Sequence, residues 1–261
     1  MNWIEALILG LIQGLTEFLP ISSSGHLEIG KTLLNLQTEA DMTFTVVVHG
    51  ATVLSIIIVF AAEIGTLFKG SVTFKWNDSN KYLVKIGVSM VPVIIVGLLL
   101  EDVIEGFFTG NLVLVGAMLI VTAVLLGFTY FAKERDKEIS FIHAFIIGIA
   151  QAIAVLPGIS RSGSTIATSL LLGNKREEAA KFSFLMVLLP IIAANVKDLL
   201  DYSGATTSDS IGILPLIIGF ITAFVTGLIA CKLMLRIVKN GKLIYFATYC
   251  LIVGLIAIIF G

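Results

Sequence analysis

Charge is what this chain has least of. Only 13% of its 261 residues are Asp, Glu, Lys or Arg, against roughly 25% in soluble domains. That is too little to cover a water-facing surface. With 57% hydrophobic residues and a mean hydropathy of +1.02, the composition excludes a soluble globule and implies an integral membrane protein. The net charge of −1 by itself says nothing of partners, and nothing in the chain points to a nucleic acid. Cysteine is scarce as well. Cys231 and Cys250 each sit inside an apolar run, which leaves no disulfide framework or zinc pattern and reads as small apolar filler. The first residues, MNWIEALILG, lack a basic stretch and an A-x-A cleavage site, so they are expected to be retained structure rather than a leader.

What the chain has is long apolar runs. A helix needs roughly 20 apolar residues to cross a bilayer, and six stretches qualify: 43–68, 82–100, 112–132, 179–200, 211–235 and 243–260. Two further regions, 3–36 and 141–172, are apolar but broken in the middle by Pro, Gly and Ser. Each reads as a short helix, a polar break and a second short helix. Non-helical backbone at membrane depth is tolerated only where it is buried in protein or faces a water-filled cavity. Each region is therefore expected to be a re-entrant helical hairpin.

The two broken regions are copies of one another. ALILGLIQGLTEFLPISSSGH from Ala6 and AFIIGIAQAIAVLPGISRSGS from Ala144 align at a constant offset of 138 positions, with identities at Ala6, Gly10, Gln13, Ile21, Ser22, Ser24 and Gly25. Each is followed by three candidate spans. An odd number of crossings separates them, so the second half is expected to lie upside down relative to the first. Such inverted repeats place their sites where the halves meet. The expected fold is thus an all-α polytopic membrane protein in one structural domain: residues 1–138 and an inverted 139–261, six transmembrane helices, and two hairpins entering from opposite faces.

Basic residues orient it. Lys69, Lys75 and Lys81, then Lys133, Arg135 and Lys137, then Lys175 and Arg176, then Arg236, Lys239 and Lys242 occupy four loops. The intervening loops hold Glu39, Asp41, Glu101, Asp102, Glu105, Asp201 and Asp209 and no Lys or Arg. Six spans plus two hairpins put all the basic loops on one side, the cytoplasmic one. The first hairpin then opens outward, the second inward, and both termini lie outside.

Polar groups in apolar surroundings cost several kcal/mol unless paired, so the breaks need a reason. In the first, Gln13 and Glu17 share a helix face, Pro20 ends or kinks that helix, and Ser22, Ser23, Ser24, Gly25 and His26 follow. Serines and a glycine at a new helix start expose backbone N–H groups suited to an anion. The bland alternative is a Glu17–His26 pair holding a kink. In the second break, PGISRSGST, Arg161 is flanked by Ser160 and Ser162, with Gly158, Gly163 and Thr165 alongside. An arginine fork among hydroxyls and helix N-terminal amides suits phosphate. Here the alternative is a buried Arg161–Glu17 salt bridge between the hairpins, and the two roles can coexist. Glu17 is available to a divalent cation, which commonly binds through one or two carboxylates plus substrate phosphate. The parts fit phosphoryl transfer or phosphate hydrolysis, and a site inside a membrane points to a lipid-linked phosphate. Elsewhere, His49 is expected as a core polar residue, with lining the cavity as the alternative, His143, Asn195, Lys197 and Asp198 as interfacial, and Glu63 as a cap or a snorkelling side chain.

At these residues the sequence resembles the undecaprenyl-diphosphate phosphatase family, of the bacitracin-resistance type. QGLTEFLPISSSGH is similar to that family's (E/Q)-x-x-x-E and P-x-S-S-[ST]-G-H pattern, and PGISRSGST to its P-G-x-S-R-S-x-x-T pattern; the resemblance spans essentially the whole chain. It implies hydrolysis of a C55 isoprenyl diphosphate to the monophosphate, the lipid carrier for peptidoglycan and other envelope glycans, at a site facing the outer side of the cytoplasmic membrane. It also implies dependence on Mg²⁺ or Ca²⁺. The metal falls on Glu17, with Gln13 beside it where many relatives carry Glu. Ser23 and His26 match the family's essential serine and histidine, and Arg161 its phosphate-clamping arginine. The expected mechanism has Arg161, Ser160, Ser162 and Thr165 on the diphosphate, Ser22, Ser24, Gly25 and Gly163 lining it, and His26 as base for Ser23 or for a water. Partners are then the polyprenyl diphosphate and membrane lipid, with a homodimer left open. The rival from another class is a polyprenyl-phosphate transporter or flippase built on the same inverted repeats.

Overall fold

The structure is a computed structural model. It describes residues 1–36, 41–73, 75–100, 103–104, 106–107, 110–133, 137–202 and 211–261, without the side chains of 41, 42 and 198–202. Among the described residues it is all helix, with no strand and one isolated bridge between Lys137 and Asn174. The helices are α1 (Trp3–Thr16), α2 (Ser23–Leu33), α3 (Asp41–Val59), α4 (Ala61–Ser71), α5 (Asp78–Leu99), α6 (Leu112–Phe128), α7 (Phe141–Ile153), α8 (Arg161–Leu171), α9 (Arg176–Met186), α10 (Leu188–Tyr202), α11 (Ile213–Lys239) and α12 (Ile244–Phe260).

Both broken regions are a short helix, a break and a second short helix, with α1 and α2 around the first break and α7 and α8 around the second. The spans differ in detail. Among the described residues four helical stretches are long and apolar enough to cross a membrane: Asp78–Leu99, Leu112–Phe131, Arg176–Lys197 and Ile213–Lys239. The expected span 43–68 is instead α3 and α4, bent by 74°. No Pro or Gly marks the bend. It falls at Phe60, which is buried with its ring 6.1 Å from that of Phe184, so tertiary packing sets it. The α9–α10 stretch is interrupted at Val187 because Pro190 has no N–H for the Met186 carbonyl. The last expected span, 243–260, forms a helix of 17 residues, about 25 Å at 1.5 Å per residue and short of the roughly 30 Å hydrocarbon core.

The packing is that of a membrane protein turned inside out relative to a soluble one. In α11 the bulky residues Ile217, Ile221, Val225, Ile229 and Leu233 are exposed at every fourth position, while Gly219, Ala223, Gly227 and Ala230 are buried. Small residues let helix backbones approach closely where lipid removes the hydrophobic drive between them. A side chain on Gly10 of α1 would meet the Gly219 carbonyl oxygen at 2.8 Å, and Gly14 abuts Ala223 and Thr226. In α6 and α12, Gly116 and Gly254 face each other's carbonyls at 2.6 and 2.7 Å.

These contacts cross between the halves. α1 packs on α11, α7 packs on α5, and α6 packs on α12. The ends agree with the charge pattern. Trp76 stacks on Phe141, Lys137 bridges Asn174 beside Lys175, and Lys239 pairs with Glu177 at 2.5 Å. The four basic segments are thereby drawn together. Glu39, Glu101, Asp102, Glu105, Asp209 and Arg135 lie outside the described residues, as do the side chains of Asp41, Asp198 and Asp201.

Candidate active site

The two breaks touch. A side chain on Gly25 would lie 3.1 Å from Gly158 Cα, and one on Gly163 would lie 3.2 Å from Pro20 Cβ. These contacts are images of each other under the 138-residue offset. The helix starts match too. Ser22 caps α2, its Oγ accepting from Gly25 N at 3.2 Å and lying 3.3 Å from Ser24 Oγ. Ser160 caps α8, its Oγ accepting from Gly163 N at 3.0 Å and lying 3.4 Å from Ser162 Oγ. The copies turn differently for a physical reason. Gly158 takes the left-handed conformation in the second break (φ +95°). Its counterpart is Pro20, whose ring forbids positive φ, so the left-handed residue moves to Ser22 (φ 69°), a non-glycine held in a conformation that costs of order 1–3 kcal/mol.

Other helices brace the tips. Thr122 of α6 accepts from Ser160 N at 3.0 Å and reaches the Gly158 carbonyl at 3.2 Å. Cys250 of α12 points its thiol at the Pro20 carbonyl, 3.7 Å away.

At the junction lies one hydrogen-bonded unit. Glu17 is buried, its carboxylate shared among three side chains. Arg161 Nη2 donates to Oε1 at 2.8 Å, Ser23 Oγ donates to Oε2 at 2.7 Å, and Gln13 Nε2 donates to the same oxygen at 2.9 Å. His49 Nε2 stands 3.9 Å from Oε2, with Nδ1 on the Thr45 carbonyl. His49 thus borders the site. Ser23 and Arg161 are the first residues of α2 and α8, so both helix N-termini, with their unpaired amides and positive dipole ends, converge beside the carboxylate. The bond to Glu17 occupies one of the five N–H donors of the guanidinium. A cavity of about 10 Å³ lies against Glu17, Arg161, Ser162 and Ser183, room for about one water.

Not every expected residue joins this unit. His26 shares α2's first turn with Ser23 but faces elsewhere: Nδ1 lies 2.8 Å from the Ser22 carbonyl oxygen and Nε2 lies 2.9 Å from the Tyr249 hydroxyl. Ser23 is held by Glu17, and His26 is neither a partner of Glu17 nor of Ser23. Thr165 is buried, its hydroxyl on the Arg161 carbonyl and on Ser183 Oγ. The Ser22 and Ser160 hydroxyls serve as helix caps. Tyr249, Ser183 and Thr122 had no signal in the sequence, each lying outside both polar breaks.

The donor set bears on a metal. Among the described residues no three His, Cys, Asp or Glu side chains cluster to hold an ion. One buried carboxylate is present, and beside it Gln13 Oε1 is buried without a partner. One carboxylate and one orphaned amide oxygen fit a hard divalent cation that shares its remaining ligands with a diphosphate.

Beside this junction an apolar groove of about 530 Å³ runs between α1 and α12 from Leu11 and Leu15 to Phe246, with His26 and Tyr249 in its wall.

A family model described as "Bacitracin resistance protein BacA" matches residues 6–256. The chain is 53% identical over 261 residues to an "Undecaprenyl-diphosphatase" of Bacteroides fragilis, covering 99% of this chain and 98% of that one. It is 51% identical over 263 residues to a protein of the same name from Christiangramia forsetii, covering 100% and 99%. A third, from Methanosphaera stadtmanae, is 38% identical over 280 residues, covering 99% and 98%.

Proposed function

The chain belongs to the bacitracin resistance protein BacA family, and from that membership we propose that it is a multi-pass membrane enzyme hydrolysing undecaprenyl diphosphate to undecaprenyl phosphate and inorganic phosphate. The observation that carries the reading is the single unit joining Ser23 Oγ, Glu17 and Arg161 at two converging helix starts. A hydroxyl on a carboxylate, with a guanidinium beside it, is a nucleophile, a proton acceptor and an anion clamp in one place.

Arg161 and the first-turn amides of α2 and α8 receive the diphosphate, with Ser24, Ser162, Gly25 and Gly163 shaping the cradle. Ser23 Oγ attacks the terminal phosphorus, its proton passing to Glu17, and the bond from that phosphorus to the bridging oxygen breaks. The lipid monophosphate leaves, and water then releases phosphate from Ser23. In the alternative, a water beside Glu17 attacks directly. The 2.7 Å Ser23–Glu17 bond favours Glu17 over His26 as the first proton acceptor. That leaves His26 for a later proton transfer, made when its Nε2 exchanges the Tyr249 hydroxyl for the leaving phosphate or the water. A Mg²⁺ or Ca²⁺ held by Glu17 and Gln13 Oε1 would neutralise charge on the phosphoryl oxygens.

The finer topology belongs to the same proposal: two inverted halves, hairpins entering from opposite faces, basic loops in the cytoplasm, and the site opening to the extracytoplasmic side with both termini outside. The matched contacts at the breaks and the gathered basic segments support it. The product would feed the lipid carrier used for peptidoglycan, and hydrolysis of the diphosphate would underlie bacitracin resistance. A polyprenyl-phosphate transporter needs no hydroxyl held on a carboxylate and is not favoured.

The test is phosphate release from undecaprenyl diphosphate by the purified protein in detergent, with acid quench to trap phosphoserine. Wild type is expected to release phosphate and to show label on Ser23. Full activity in Ser23→Ala would sink attack by Ser23, and no release by wild type would sink the enzyme.

A further inference from the structure

Tyr249 lies outside both polar motifs, 223 residues from His26 in the chain. Its ring stacks on the imidazole with centroids 5.6 Å apart and planes 12° apart. The hydrogen bonds of His26 define more than its position. The Ser22 carbonyl can only accept, so Nδ1 carries a proton. In the neutral ring Nε2 is then a lone pair, and the Tyr249 hydroxyl donates to it. The nearby backbone fixes one nitrogen, and a residue from the last helix fixes the other. Without Tyr249, χ2 of a histidine has a broad, shallow preference, and only one bond would hold the plane.

Tyr249 also edges the groove between α1 and α12. That groove is mostly apolar, with Leu11, Leu15, Leu19 and Phe246 in its lining, and Thr16, His26, Tyr245 and Tyr249 supply its polar groups. His26, in its wall, belongs to the first turn of α2, the turn that begins with Ser23.

We propose that Tyr249 is a positioning residue: its hydroxyl holds His26 with Nε2 as acceptor, and its ring walls the groove that seats the isoprene units next to the diphosphate. Seating the chain and orienting the imidazole are then one event, because a chain in the groove presses the same ring that stacks on His26. This rests on the phosphatase reading above.

Two variants separate the parts. Tyr249→Phe keeps the ring and loses the hydroxyl, whereas Tyr249→Leu loses both. The chain has three histidines, so ring-nitrogen NMR of the full-length, histidine-labelled protein in nanodiscs resolves His26 by comparison with His26→Gln. In Tyr249→Phe the His26 Nε2 resonance is expected to move toward that of a free imine nitrogen. kcat is expected to fall roughly tenfold with KM unchanged, a fraction of the 10²–10⁴ that acid–base catalysis contributes. Tyr249→Leu should add a rise in KM for undecaprenyl diphosphate but not for a short-chain diphosphate such as farnesyl diphosphate. An unmoved Nε2 resonance, or wild-type kcat in Tyr249→Phe, overturns the positioning role. Equal KM changes for long and short chains overturn the groove. If wild type released no phosphate at all, the phosphatase reading would fall, and the nitrogen resonance would still decide whether Tyr249 holds His26.

Discussion

Replace Arg161 by Met and Glu17 keeps its charge but loses the guanidinium that pairs with it. The Glu17 side chain is 4% exposed and that of Arg161 28%, with 2.8 Å between Nη2 and Oε1. Breaking a buried ion pair by removing one partner costs about 3–5 kcal/mol, because the survivor stays unpaired. Ser23 and Gln13 still donate to the carboxylate, and the arginine end is partly wet, so about 3 kcal/mol is expected for Arg161→Met. Glu17→Gln leaves a guanidinium that water can reach and keeps the carboxylate's shape, for about 1.5 kcal/mol. The double variant buries no charge and should cost about 2.5 kcal/mol, so the pair's coupling is about 2 kcal/mol. Reversible unfolding in mixed micelles measures all three, and phosphate release runs beside it. Arg161→Met should lose about 10²–10³ in kcat, the scale seen when a donor to a developing anion is removed. A double variant whose loss equals the sum of the singles within about 0.5 kcal/mol would refute the argument that the two halves are fastened by this charge pair.

Gly158→Ala should lower the thermal midpoint and turnover together, by about 2 kcal/mol or more in stability, because φ is +95° and the new methyl would lie 2.5 Å from the Val115 carbonyl oxygen. Gly127→Ala, with nothing within 4 Å, serves as its control in the same melting assay and should not destabilise. EDTA should stop phosphate release, and excess Mg²⁺ or Ca²⁺ should restore it; turnover indifferent to chelation would remove the metal from Glu17 and Gln13.

The sequence disclosed what is periodic or duplicated. Long apolar runs became helices, and the offset copies became two capped helix starts with the same hydrogen bonds. The Glu17–Arg161 pair, weighed as a bland alternative to a phosphate clamp, is present while the guanidinium keeps further donors. What the sequence hid depends on contacts between distant segments. The bend at Phe60 answers to Phe184, in α9. Whether Ser23 meets His26 or Glu17 is decided by how the two breaks abut. Pro20 facing Gly158 was visible in the alignment, yet its effect, a left-handed Ser22, emerges only when both turns must make the same cap with different residues.

The packing of α1 on α11 sets a schedule for the chain's assembly. The surface that Gly10 and Gly14 need is supplied by Gly219, Ala223 and Thr226, roughly 200 residues downstream, or roughly 10–40 s of synthesis at roughly 5–20 residues per second. Until then the first segment lacks that packing surface, and for the 144 residues before Arg161 is made Glu17 has no arginine to meet it. The first segment made is therefore among the last to find its place, and whatever attends the nascent chain must shelter that carboxylate while the rest is delivered.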